Sequence, residues 1–207
     1  VSINVTDVIS PNGKKMSPRL TRAVTPIKDT TAKTMLLSVK QEKRRAENEE
    51  YLKNKNVKAF LDTLAKAEGG DYHAKYGFGW ARGNWAFTDE STHPGAGFGG
   101  KTTASGRYQI TIASWRDNCI TAMGLSDFSP KTQDLTAIEI LRKVRAIDPI
   151  VNGDIQDAIH KASGRWEALP LGPGQANRPL GGHPSGQPYT PYDEVVTNYK
   201  SFGGTTK

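Results

Sequence analysis

Cysteine is almost missing from this chain: Cys119 stands alone among 207 residues. A lone cysteine excludes an internal disulfide framework and any cysteine-built zinc module. Long apolar runs are missing as well, so no stretch reads as a transmembrane helix. No basic segment followed by an apolar stretch opens the sequence, so no secretory signal is read there. The four histidines, His73, His93, His160 and His183, are scattered without a His-Glu-x-x-His or an i, i+4 ligand pair. No metal site and no cofactor is expected from them. Ser105 precedes a glycine but lacks the Gly-x-Ser-x-Gly setting of a hydrolase nucleophile.

What is present is charge, distributed unevenly. Residues 1–56 hold 12 Lys/Arg against 6 Asp/Glu, and residues 57–207 hold 16 against 15, so most of the net +7 sits on the first quarter. Electrostatic docking therefore belongs to that segment rather than to the rest, and no nucleic-acid specificity is expected of the nearly neutral remainder. Residues 1–30 contain three prolines and a Pro-Asn-Gly turn signal with no sustained apolar period. They read as extended and partner-dependent. From about Ala32 to Lys55 the chain turns helical, with Met35, Leu36 and Val39 as a short stripe ahead of mixed charge. That helix has too narrow an apolar face to fold alone, and reads as a solvated linker or as an anchor. Two regions result: a basic arm over 1–56 and a compact domain over 57–207.

In the second region Val57, Phe60, Leu61 and Leu64 recur at helical spacing, and Gly69-Gly70 supply the stop. Further helices are expected over Ser114–Met123, from Pro130 to about Arg145 with Ser129 as N-cap, from Asp154 to Gly164, and from Thr190-Pro191 to Gly203. Residues 76–106 are glycine- and aromatic-rich loops with room for a short hairpin, and Leu171–Tyr189 forms a long Gly/Pro loop. Loops of that length in a small domain are usually functional. The fold class is α+β, mostly helical.

Glu68 falls on the apolar face of the first of these helices, at its last turn. Loss of hydration and the negative end of the helix dipole both disfavour its ionised form, as a general acid working near neutrality requires. The plainer alternative is a glutamate at a frayed helix end that reaches water. Tyr76, Phe78, Trp80, Trp85, Phe87 and Phe98 follow on glycine-rich loops. Flat rings on such loops can stack on sugar faces, although Phe87 at least reads as core. Trp115, Trp166 and Cys119 also read as core, and Arg107 as a bridge to loop carbonyls or an acid.

Taken in order, Ala67-Glu68-Gly69, Phe87-Thr88-Asp89, His93-Pro94, Ser105-Gly106-Arg107-Tyr108-Gln109, Asp127-Phe128-Ser129-Pro130, Gln133-Asp134, Gly153-Asp154-Ile155, Ala158-Ile159 and Trp166-Glu167-Ala168-Leu169-Pro170 resemble the bacteriophage lambda endolysin family. The resemblance spans about residues 56–206. It implies a lysozyme-like, two-lobed domain with a substrate cleft, and a phage lytic transglycosylase that acts on peptidoglycan glycan strands. Glu68 would match the catalytic glutamate. Tyr108 and Gln109 match the segment beside it, and Trp80, Trp85, Asp89 and His93 fall in or beside the flexible rim, which matches about 80–101 and 171–189.

The implied reaction needs one carboxylate, with a 1,6-anhydro sugar as product. Asp71, Asp89 and Glu90 are the available second carboxylates. Asp89 is the one that could place a water and make the enzyme a hydrolytic muramidase, unless it merely bonds backbone in a turn. The arm suggests a virion-borne enzyme that docks to tail or core proteins and acts in the bacterial periplasm. A free endolysin in the host cytoplasm before lysis is the alternative. A catalytically silent, wall-binding virion protein is the reading from another class.

Overall fold

The computed structural model describes residues 29–178 and 186–207. The expected arm before residue 29, His183 and the middle of the 171–189 loop lie outside the described residues. Helix α1 (Asp29–Lys53) precedes α2 (Lys55–Glu68). The order then runs through α3 (Ile112–Trp115), α4 (Pro130–Lys143), α5 (Ile147–Asn152), α6 (Ile155–Ala162) and α7 (Tyr192–Ser201). The architecture is mostly helical. Among the described residues, β structure is confined to isolated bridges, including Ala74 with Ala86, and Ser105 with both Lys75 and Ile110.

Helix α2 is the axis of the domain. Its apolar stripe buries Val57, Phe60, Leu61 and Leu64, each at most 2% exposed. Side chains of that size contribute about 1.5–3 kcal/mol each when fully buried. Phe60 meets Tyr199 of α7 edge-on, with ring centroids 6.4 Å apart. Asn54 caps the start of α2 by accepting from the Asn56 and Val57 amides, and Gly69 ends the helix at φ 62°. A positive φ there favours glycine, which has no Cβ to clash.

The expected helix over Ser114–Met123 is broken into α3 and a π-helical turn, Arg116–Thr121. Helix α5, which carries Pro149 within only six residues, had no periodic signal to announce it. Helices α4 and α6 start at their expected caps, Ser129 and Asp154.

One compact unit spans Ser38–Lys207, so it begins earlier than the boundary expected at Val57. The later part of α1 is stitched to α4 and the π-helical turn by polar contacts. Arg44 pairs with the buried Glu139 at 3.0 Å. The fully buried Asn48 donates to Glu139 at 3.1 Å and accepts from Arg142 at 2.6 Å. Gln41 donates to the carbonyls of Ile120 and Thr121. A solvated linker was one expectation for this helix. Instead, Gln41, Arg44, Glu47, Asn48 and Glu49 each bond residues beyond this helix.

Candidate active site

Glu68 is the last residue of α2 and opens onto a groove of about 770 Å³. Two walls of the groove come from Ala74–Phe78 with Trp80 and from Lys101–Ala104 with Gln109; a third is the Arg165–Glu167 turn, with Gly186–Pro188 beside it.

Each wall is fixed to the core. The Gln133 side chain is fully buried and uses its whole amide. Its Nε2 donates to the carbonyls of Tyr72 and Phe128, and its Oε1 accepts from the Arg107 amide. The indole of Trp166 donates to the Tyr108 carbonyl at 3.0 Å, tying the third wall to the second. Asn177 donates to the Glu167 carbonyl at 2.8 Å, and the Thr190 amide donates to the Ala168 carbonyl at 2.9 Å.

Burial pushes the Glu68 carboxyl up to about 7 from an ordinary 4.5. The Ala168 amide, which donates to it, pulls the other way, and the charge of Glu167 adds to the rise. Glu68 therefore keeps much of its proton up to about neutrality, while a side of it still faces the groove. That combination suits a group that must donate a proton to a bound oxygen and then take one back.

The structure brings Trp80 and Gln109 together with Glu68 on this groove. Trp80 is 63% exposed and rests edge-on against Tyr76 and Phe98. Gln109 adopts φ 48° and donates its side-chain amide to the Gly106 carbonyl.

The other expected site residues do not line the groove. Tyr108 is fully buried, and its hydroxyl donates to Asp134 at 2.6 Å, so its side chain supports the wall from behind. Trp85 packs on Phe98 and donates to the Arg82 carbonyl. His93 is a core residue, 5% exposed: its Nδ1 accepts from the Gly95 amide and its Nε2 donates to the Ile110 carbonyl. Burial holds its imidazole below the ordinary range, which keeps it neutral. Asp89 lies outside the groove, exposed, accepting from the Ser91 amide at 2.8 Å. The other two available carboxylates are also used locally, Asp71 on the His73 amide and Glu90 on the His73 ring.

Glu167 is what sequence reasoning missed. A single glutamate in a turn carries no periodic signal, and in the sequence it stands out only as part of the Trp166–Pro170 motif. Among the described residues no group of three potential ligands could hold a metal ion.

The match to known proteins covers this site and its frame. A family model described as Endolysin matches residues 58–206. The chain belongs to the Endolysin family. The endolysin of Escherichia phage lambda is 35% identical over 162 residues, covering 74% of this chain and 95% of that protein. The endolysin of Escherichia phage P2 is 34% identical over 169 residues, covering 73% and 94%. Among solved structures, a bacteriophage lambda lysozyme complexed with a chitohexasaccharide matches with a TM-score of 0.59. It is 33% identical, and the match covers 74% of this chain and 97% of that one. The lysozyme-like fold is thereby established for this endolysin-family chain, and the whole of α1 precedes the part that the family model matches.

Proposed function

We propose that this protein degrades peptidoglycan by cleaving the β-1,4 bond between N-acetylmuramic acid and N-acetylglucosamine, with Glu68 as acid and then base. The observation that carries this reading is a carboxyl raised to about 7 at the edge of a groove of about 770 Å³. The lambda lysozyme that was solved with a chitohexasaccharide supports a glycan as the occupant of the equivalent groove.

Protonated Glu68 gives its proton to the bridging oxygen as the bond from C1 of the muramic sugar to that oxygen breaks. The C6 hydroxyl of the same sugar then closes onto C1 and loses its proton to the Glu68 carboxylate. The product is a 1,6-anhydro sugar, and no water is consumed. A one-carboxylate route is favoured by the placement of the acids. Glycosidases that use two carboxylates set them on either side of the scissile bond. Here Asp71, Asp89 and Glu90 are bound up outside the groove, and Glu167 belongs to the turn that itself hydrogen-bonds Glu68.

Membership of the Endolysin family favours action on the host wall at lysis. The virion-borne reading, with docking to tail or core proteins and action in the periplasm during genome delivery, rests on the basic segment that precedes the family match. Western blotting of purified particles separates the two, since a free enzyme is absent from them.

The activity itself is tested on purified peptidoglycan with the parent and Glu68→Gln. The parent should release muropeptides with anhydro ends that resist borohydride reduction, and the variant should release none. Reducible ends would establish hydrolysis instead. Equal turnover by the two proteins would remove Glu68 from the mechanism, and no turnover by either would favour the silent wall-binding reading.

A further inference from the structure

The one carboxylate that shares the groove with Glu68 has no part in the reaction as written. The groove's other charged or titratable groups are Lys75 and Tyr76 on one wall, Lys101 on the next, and Arg165 beside Glu167. Among the described residues, the charge that bears on the Glu68 carboxyl is that of Glu167, which favours its protonated form.

Its position is built rather than incidental. The residue before it is anchored through the Trp166 indole to Tyr108, and its own carbonyl accepts from Asn177, which is 8% exposed. The residue after it holds Glu68 through its amide and is held in turn by Thr190. A turn fixed at three successive residues keeps the backbone of Glu167 next to the Ala168 amide that bonds Glu68.

We propose that Glu167 is a positioning residue for the reaction: its fixed negative charge beside Glu68 keeps the catalytic proton in place at the upper end of the working pH range. The inference rests on the reading of Glu68 as the acid. Two carboxylates sharing one site cannot both ionise freely, and the more buried of the two retains the proton. Here the carboxyl that is pushed up is that of Glu68, while Glu167 is only half-buried.

The full chain and its Glu167→Gln and Glu167→Asp variants are assayed on purified peptidoglycan from pH 4.5 to 9, each profile normalised to its own maximum. Loss of the charge should move the basic limb of Glu167→Gln to lower pH by roughly half a unit, about a threefold relative loss on that limb. Glu167→Asp should retain most of the parental limb.

A second measurement needs no variant. The carbon-13 titration of the Glu68 carboxyl in the parent should move to lower pH between about 0.05 and 0.5 M salt, because salt screens a neighbouring charge. A Glu167→Gln profile that superimposes on the parent, or falls equally at every pH, overturns the proposal, as does a salt-independent titration. If Glu68→Gln retains turnover, the reading of the acid has failed. If Glu68→Gln is dead and the basic limb stays in place, only the role of Glu167 has.

Discussion

Gly70 and Arg107 touch through their backbones: a β-carbon built on Gly70 would stand 2.0 Å from the Arg107 carbonyl oxygen. No side chain at position 70 fits without parting the end of the catalytic helix from the loop that carries Gln109. The required residue is glycine because of closeness, since Gly70 is not among the residues with positive φ.

Gly70→Ala should therefore fold but work poorly. Relieving that contact moves one groove wall by about an ångström and misaligns Glu68 with the bond it protonates, and displacements of that kind cost roughly ten- to a hundredfold in rate. Overpacking costs about 1–3 kcal/mol of stability in addition. Turnover on peptidoglycan alongside a thermal melt checks both, and full activity in Gly70→Ala would mean that the contact does not set the geometry.

Glu68 should make the protein less stable as pH rises. Its folded-state carboxyl titrates at about 7 against 4.5 for an ordinary glutamate. The folded form thus binds the proton more tightly than the unfolded form. The associated stability is present in full below about 4.5, and is lost as pH rises through about 7. Glu68→Gln removes this dependence. The variant should match the parent near pH 4 and exceed it at pH 8 by on the order of 3 kcal/mol. Urea denaturation at the two pH values measures the difference, and equal gaps at both would contradict the raised titration. Activity should decline over the same upper range, as the acid loses its proton.

Trp80 is exposed at the groove's rim and braced by Tyr76 and Phe98. A ring held edge-on by two others presents its face at little cost in side-chain entropy. Trp80→Ala should weaken chitohexaose binding by roughly tenfold, read by calorimetry, with thermal stability close to that of the parent because so little of the ring is buried.

The parts of this fold that were legible in the sequence are those with a periodic or capping signal. Val57, Phe60, Leu61 and Leu64 mark α2, Gly69 marks its end, and Glu68 stands out because it breaks the apolar stripe. Ser129-Pro130 and Asp154 announce α4 and α6 in the same way. Contacts between polar groups leave no such trace. His93 is expected at the rim because the resemblance places its segment there, whereas its two ring nitrogens are used on backbone groups in the core. Tyr108 sits in the right segment, but its neighbour Gln109, with its left-handed backbone, is the one that reaches the groove. Glu167 depends on a turn whose anchors come from Tyr108, Asn177 and Thr190, distant in sequence from one another.

The attachment of α1 was the least legible part, and it leads to the sharpest test of where the domain begins. Glu139 is buried in α4, and its charge is met by Arg44 and Asn48, both from α1. Arg142 is likewise bound to Glu47 and Asn48. Cutting the chain after Leu37 leaves all of these in place, so a protein starting at Ser38 should melt close to the full-length temperature. Cutting after Asn56 removes both partners of Glu139 and leaves a buried carboxylate uncompensated, which costs about 3–5 kcal/mol. That shorter protein should melt far lower, or aggregate. Adding Glu139→Gln to it should recover part of the loss, because a neutral amide is less costly to bury than an unpaired charge. The recovery separates a charge effect from a general loss of packing. If the two truncations instead melt together, α1 contributes nothing to the domain, and the boundary expected at Val57 stands.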